Sequence, residues 1–202
     1  VTKEDLRATA DSNSVLNSVW NGSKVNVFGA KNETVSFNLI IESDGVNTNN
    51  LSVDFHTLNG PTLIQSQAKS GDDLFDTRNR PIELFYVRYL KIEGLSKLSY
   101  GTYDERHVPE RMRRPFTGNG YGSGDWSDRP DGDKYYPDIA VPLEMETPFS
   151  IPSNENQSIW VDITIPKTAL SGTYTGNLKV YQGASVVKDI EVELEVKNFS
   201  LP

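Results

Sequence analysis

The sequence contains no cysteine, which excludes disulfide bonds, zinc–thiolate sites, iron–sulfur clusters and a catalytic thiol. Its only histidines are His56 and His107, and no nucleophile motif accompanies them, so nothing indicates a histidine-based metal site or a Ser–His–Asp triad. Positive charge is also scarce: 20 Lys and Arg face 28 Asp and Glu, for a net charge of −8. This acidic balance argues against nucleic acid as a partner. No run approaches the roughly 18 apolar residues of a membrane helix, so we expect no membrane insertion.

The composition is that of a soluble, turn-rich globular chain. Of its 202 residues, 36% are hydrophobic and 24% charged, and glycine and proline number 15 and 11. This length suits one β-sandwich domain that spans residues 1–202. The chain begins without a signal peptide and stops abruptly at "VKNFSLP", so we expect it to be a fragment of a larger multidomain protein.

Alternation of apolar and polar residues is the dominant pattern. In "IEVELEV", the apolar residues Ile190, Val192, Leu194 and Val196 alternate with glutamates. A period of two indicates a strand with one face in the core and the other in water. Similar patterns occur in "KVNVFG", "TVSFNLIIE", "LSVDFHTL", "IWVDITI" and "TYTGNLKV". Because turn-rich segments separate them, the sequence predicts an all-β fold, an antiparallel β-sandwich of immunoglobulin-like or Greek-key type.

One strand-like segment and the loop after it depart from this pattern. Residues Ile82–Glu93, "IELFYVRYLKIE", are apolar on both faces, so the predicted strand needs a second cover outside the core. A long loop excursion without strand pattern follows, from about residue 94 to residue 137. Such a length is unusual for a plain connection, which indicates a functional or interface element.

The segment "PKTALSGTY" predicts a structural anchor between two strands. Pro166 ends a strand because it has no N–H to donate, and Gly172 can adopt a positive φ. In sandwich domains, a tyrosine near the start of the incoming strand often bonds back to the backbone a few residues upstream. We therefore predict that Tyr174 anchors this crossing rather than binding a ligand. We expect Trp160, on the preceding strand, to lie beneath a loop or at a domain contact rather than to stack on a sugar.

Four sequence segments follow one another in this order along the chain: "NETVSFNLIIES", "YYPDIAVPLE", "QSIWVDITIPKTALSGTYTGNLKVY" and "LEVKNFSLP". Together, from about Lys31 to Pro202, they resemble the N-terminal β-sandwich of exported proteins related to glycoside hydrolase family 123. This resemblance implies that a (β/α)-barrel with a glycosidase-like active site follows the sandwich. The catalytic carboxylates of the family would belong to that barrel, so the resemblance assigns no catalytic residue to this sequence.

The loop excursion also holds the candidate contact residues, which are aromatic or arginine side chains: Tyr100, Tyr103, Arg113, Arg114, Tyr121, Trp126 and Tyr135. Exposed aromatic rings beside polar side chains are typical of carbohydrate contact, because a sugar ring stacks its apolar face on them. The same residue types are typical of an interface between domains. On this evidence, docking to a neighbouring domain, polysaccharide binding and a plain loop all stay open.

Within the excursion, "DWSDRPDGD" brings together four aspartates that could bind calcium: Asp125, Asp128, Asp131 and Asp133. Calcium prefers several carboxylate oxygens from a turning loop, and Gly132 permits a sharp turn. The spacing differs from that of an EF-hand, and Asx turns or ion pairs with Arg129 and Lys134 explain the aspartates equally well. Apart from this calcium, the sequence indicates no cofactor.

These observations predict a chain that is not itself an enzyme, because no catalytic constellation is visible in it. We expect a non-catalytic accessory or scaffolding domain of a glycoside hydrolase-like protein that is secreted or at the cell surface. Its partner would be a neighbouring catalytic domain of the same polypeptide. The alternatives are a carbohydrate-binding module and a structural module of a surface-layer or adhesive protein.

Overall fold

A computed structural model describes residues 1–6, 16–68, 71–76, 79–92 and 134–202, without the side chains of residues 71 and 72. The strands in this part of the chain are β1 (Lys24–Lys31), β2 (Thr34–Ser43), β3 (Thr48–Asp54), β4 (Thr57–Asn59), β5 (Leu63–Gln65), β6 (Ile82–Ile92), β7 (Lys134–Pro142), β8 (Phe149–Ile151), β9 (Glu155–Thr164), β10 (Gly172–Gln182) and β11 (Ser185–Ser200). Short 3-10 helices cover Gly71–Phe75 and Leu143–Met145. Within the described ranges, no helix is long and apolar enough to cross a membrane.

The strands form two sheets. The first has the order β1-β11-β10-β3-β8, with β4 pairing with β10 and β5 pairing with β4, and the second has the order β2-β9-β6-β7. Apolar side chains from both sheets meet in one buried cluster, which includes Leu51, Val161, Leu178 and Leu194. The predicted all-β sandwich is therefore confirmed.

The pairing of β1 with β11 differs from the antiparallel expectation. β2 with β9 and β10 with β11 are antiparallel, but β1 and β11 run parallel, with Val25 opposite Val192. Parallel neighbours need a long connection, and here residues 32–184 lie between the two strands. No local pattern could predict such a pairing, because it depends on residues about 170 positions apart.

The clearest alternation in the sequence behaves as predicted. In β11, Ile190, Val192, Leu194 and Val196 are all buried, while the intervening glutamates lie on the opposite face. Each buried aliphatic side chain of this kind contributes about 1.5–3 kcal/mol relative to an exposed position. The apolar face of the strand therefore accounts for its place against the core.

Tyr174 forms the predicted anchor. Its side chain is fully buried, and its hydroxyl donates a hydrogen bond to the Leu170 carbonyl oxygen at 2.7 Å. The Thr62 hydroxyl lies 2.7 Å from the same phenolic oxygen. Gly60 packs against the ring so closely that an added Cβ would lie 2.6 Å from it. The tyrosine thus ties the segment before β10 to the turn between β4 and β5.

The segment Leu51–Leu58 forms two strands instead of the single predicted one. β3 ends at Asp54 and β4 begins at Thr57. Leu51, Val53 and Phe55 are buried at a spacing of two, but the next buried residue, Leu58, follows after three. In one continuous strand, this spacing would place Leu58 on the face opposite Leu51, Val53 and Phe55. The break between β3 and β4 keeps all four side chains in the core.

The loop excursion ends earlier than predicted, because β7 already begins at Lys134. This strand contains Pro137, which cannot donate a ladder hydrogen bond. The proline is tolerated because, in the part of the chain that the structure describes, β7 is the last strand in the order of its sheet, and no further strand depends on its N–H.

The chain divides into two compact units. One consists of Val1–Glu4 and Tyr89–Ile139, and the other of Asp5–Arg88 and Ala140–Pro202. All residues of the buried apolar cluster belong to the second unit. The surfaces described below, except the surroundings of Tyr135, also belong to it.

Candidate functional site

An exposed tryptophan lies on the outer face of the four-stranded sheet. Trp160 is 40% exposed, and its Nε1 donates a hydrogen bond to Asp162 Oδ1 at 2.7 Å. The Ser36 hydroxyl on β2 donates to the same oxygen at 2.6 Å. In the strand register, Asn38 lies opposite Trp160 on one side and Phe85 on the other. We call these five residues the Trp160 face.

A groove of about 760 Å³ lies at the start of β6 and the end of β9. Its lining combines side-chain amides with a charged pair, and includes Gln65, Gln67, Asn79, Arg80 and Glu83. Amides, guanidinium and carboxylate together provide both hydrogen-bond donors and acceptors. The groove can therefore bind a polar ligand that donates hydrogen bonds, accepts them, or does both.

Arg80, in the wall of this groove, is the centre of an ion-pair cluster. Its side chain is buried, and Nη2 donates to Glu144 Oε1 at 2.6 Å. Its Nε is 3.8 Å from Glu83 Oε1 and has no hydrogen-bond partner within the described part of the chain. Nearby, Arg88 Nε donates to Glu146 Oε1 at 2.8 Å. These contacts hold β6 against the segment after β7, which is a structural use of the carboxylates.

Glutamates line the outer face of β11 in the other sheet. Lys24 Nζ lies 2.7 Å from Glu193 Oε2 and 4.0 Å from Glu191 Oε1. The hydrogen bond to Glu193 raises the pKa of Lys24 above its usual value, with the nearby Glu191 charge adding to the effect. Such exposed pairs contribute little to stability, so this surface is mainly a solvated one.

An apolar patch lies where β1 and the end of β11 run side by side. It consists of Phe28, Phe199 and Leu201, and we call it the terminal patch; Phe28 is 69% and Phe199 59% exposed. Lys197 Nζ lies 5.3 Å from the centre of the Phe28 ring. Leu201 N–H donates to the Lys31 carbonyl at 2.9 Å, which fixes the last residues along β1. Large exposed rings of this kind are typical of contact surfaces.

Most of the predicted contact residues lie outside the described residues: Tyr100, Tyr103, Arg113, Arg114, Tyr121 and Trp126. Tyr135 is described and is partly exposed. Its N–H donates to Glu4 Oε1 at 3.3 Å, and Lys3 Nζ lies 5.6 Å from the centre of its ring. These contacts do not test whether Tyr135 contacts a carbohydrate or a neighbouring domain, so both roles stay predictions.

The four aspartates proposed for calcium also lie outside the described residues: Asp125, Asp128, Asp131 and Asp133. In the ranges that the structure does describe, no group of three or more His, Asp or Glu side chains is arranged to hold a metal ion. The calcium site therefore stays a prediction.

Sequence reasoning missed the terminal patch and the Arg80 cluster. Phe28 had a local signal, because it occupies a position on the polar face of "KVNVFG" where Lys24 and Asn26 precede it at a spacing of two. Arg80 had none, because its ion-pair partner Glu144 lies 64 positions along the chain. Only the folded chain brings these two side chains together.

Comparisons with known proteins identify a matching family model and a similar solved structure. The family model described as "Glycoside hydrolase 123 N-terminal domain" matches residues 82–182. Among solved structures, the chain is similar to a family 123 glycoside hydrolase from Clostridium perfringens, whose structural analysis addressed glycolipid glycan hydrolysis. The TM-score is 0.58 at 15% identity, and the match covers 91% of this chain but 24% of that one. No curated protein matches the sequence. The structural likeness shows the shared fold, over about a quarter of the length of that enzyme.

Proposed function

Because this chain belongs to the glycoside hydrolase 123 N-terminal domain family, we propose that it is a non-catalytic accessory domain that packs against a neighbouring domain of the same polypeptide. That neighbour carries the catalytic carboxylates, and the sandwich braces it. The parent protein is exported and acts at or outside the cell surface. The 24% coverage of the similar enzyme supports this proposal, since most of that longer chain lies outside the sandwich.

The terminal patch is the observation that carries the proposal. Phe28, Phe199 and Leu201 are all exposed at one end of the β1–β11 pair. Exposed aromatic rings are costly in water and enriched at the centres of interfaces, where they are covered by a partner. If both phenylalanine rings were covered, we would expect them to contribute about 1.5–3 kcal/mol each, less the cost of ordering the interface.

Two acidic side chains close together in sequence, Glu144 and Glu146, support the non-catalytic part of the proposal. Glycoside hydrolysis needs two carboxyl groups that flank a sugar and have different pKa values. Glu144 is engaged by Arg80 and Glu146 by Arg88. These acids are thus committed to ion pairs that hold the fold together.

The gene sequence beyond Pro202 provides the first test. The proposal requires a glycoside hydrolase catalytic domain in the same polypeptide. A series of similar sandwiches in its place would refute the proposal and favour the surface-layer alternative.

The second test uses the polypeptide that carries both domains. We expect Phe28→Ser combined with Phe199→Ser to uncouple the domains, so that calorimetry resolves two unfolding transitions where the parent shows one. Hydrogen exchange around β1 should then rise. The control is Val186→Ser with Val187→Ser, which removes exposed apolar side chains from the other end of β11. Equal behaviour of the patch and control variants would contradict the proposal.

A further inference from the structure

We propose that the groove and the Trp160 face form one cleft that binds a neutral oligosaccharide. The strand register makes the two surfaces continuous. Glu83, in the groove lining, lies directly opposite Asp162 of the Trp160 face. Thr164, also in the lining, lies two residues beyond Asp162 on β9 and therefore on the same side of the sheet. At about 3.3 Å per residue, Thr164 and Trp160 are about 13 Å apart along the strand, room for several sugar units.

The tryptophan is fixed in a way that suits a stacking platform. Asp162 Oδ1 accepts one hydrogen bond from Trp160 Nε1 and a second from the Ser36 hydroxyl. The indole is therefore held by its N–H while much of its surface stays exposed. A ring that is ordered before binding loses little conformational freedom when a sugar stacks on it.

The groove supplies the polar contacts that a sugar needs. The side chains of Gln65, Gln67 and Asn79 are exposed, and each amide offers two donor hydrogens and one acceptor oxygen. Pro81 and Pro166 add apolar surface to the same lining. Apolar walls with a few convergent polar groups are typical of sites for small polar ligands.

The charge of the cleft favours a neutral ligand over an acidic one. Glu83 and Asp162 are cross-strand neighbours, so two carboxylates face the ligand side by side. The one nearby positive charge described, that of Arg80, is shared between Glu144 and Glu83, so it does not offset all three carboxylates. Together with the net charge of −8, this arrangement would repel a uronate or a sulfated sugar. Hydroxyl groups, in contrast, can donate hydrogen bonds to the carboxylates.

This cleft is separate from the terminal patch, so either proposal can fail without the other. The terminal patch lies on β1 and β11 of the seven-stranded sheet, whereas the cleft lies mainly on β2, β6 and β9 of the other sheet, with β5 of the seven-stranded sheet adding Gln65 to its lining. Docking without glycan binding would refute only the cleft. Glycan binding without docking would refute only the role of the terminal patch.

The experiment uses the 202-residue chain on an array of neutral and uronate-containing oligosaccharides, followed by calorimetric titration with the neutral glycan that is best retained. We expect Trp160→Ala to weaken binding by about tenfold, the factor that matches a strong ring contact. Trp160→Phe keeps a ring and should lose less. Gln67→Ala should also weaken binding, while Val187→Ala, an exposed apolar residue on the other sheet, should not.

Circular dichroism shows whether each variant remains folded, so lost binding can be assigned to the cleft. Retention of no neutral glycan, or a preference for uronates, would overturn the proposal. Binding that is unchanged in Trp160→Ala but lost in Trp126→Ala would also overturn it, and would assign sugar contact to the loop excursion instead.

Discussion

The hydroxyl of Tyr174 offers the sharpest test of how the sandwich is held together. It donates to the Leu170 carbonyl at 2.7 Å and lies 2.7 Å from the Thr62 hydroxyl. A phenol has one proton and a carbonyl can only accept, so Thr62 must donate to the phenolic oxygen. Tyr174→Phe therefore removes two hydrogen bonds while leaving the buried ring almost unchanged.

The expected loss of stability follows from those two bonds. A buried hydrogen bond contributes about 1 kcal/mol net, so the two together are worth about 2 kcal/mol. Thr62 and the Leu170 carbonyl are only partly buried and regain some bonding to water, which lowers the expected loss to about 1–2 kcal/mol. For a chain of this length, we expect the midpoint of thermal unfolding to fall by about 5 °C.

Urea unfolding followed by tryptophan fluorescence measures this difference. The midpoint should fall while the slope m stays constant, because the folded core keeps its surface. The control is Tyr181→Phe on the same strand, where the side chain is only partly buried and a change below about 0.5 kcal/mol is expected. If Tyr174→Phe proved no more destabilising than Tyr181→Phe, the anchor would not contribute to stability, and this reasoning would be wrong.

Three further predictions concern packing and charge. Arg80→Met should destabilise the fold by roughly 2 kcal/mol in urea unfolding, because Glu144 loses its buried partner; Glu144→Gln, which keeps an acceptor, should cost less. Gly176→Ala should cost more than about 2 kcal/mol in the same assay, because the added Cβ would overlap the Thr57 carbonyl oxygen. Burial, helped by the charge of Glu146, raises the pKa of Tyr86 above 10.0, so its ionisation opposes folding. Stability should therefore fall as the pH rises above about 10, and Tyr86→Phe should flatten that decline in pH-dependent unfolding.

The strands that the sequence predicted correctly are those whose pattern is local. In β11 the buried residues from Ile190 to Val196 repeat every two positions, and each side chain finds its place from that spacing alone. The Tyr174 anchor was also predictable, because Pro166 and Gly172 mark the ends of the crossing within a few residues of it. The family resemblance rested on the same phrases and is confirmed by the match over residues 82–182.

The features that escaped prediction depend on distant partners. The three-residue strand β8 is too short to show a period, and exists because Phe149 pairs opposite Leu51 of β3. Leu201 acquires its position in the terminal patch only when β11 pairs with β1. In the sequence alone Arg80 resembles an ordinary surface arginine, because its ion-pair partner Glu144 is distant along the chain. Pairing across the chain, rather than local spacing, creates these surfaces.

The two outer faces of the sandwich differ in a way that suits two kinds of partner. In the terminal patch, Phe28 and Phe199 expose large rings whose transfer out of water is favourable. This property suits a permanent interface. On the Trp160 face, Asp162 already holds the indole and the Ser36 hydroxyl, so a ligand could arrive and leave with little rearrangement. A domain that braces an enzyme and also holds its glycan needs both properties on separate surfaces. We therefore expect the serine variants of the patch to lose coupling but keep glycan binding, and Trp160→Ala to show the reverse.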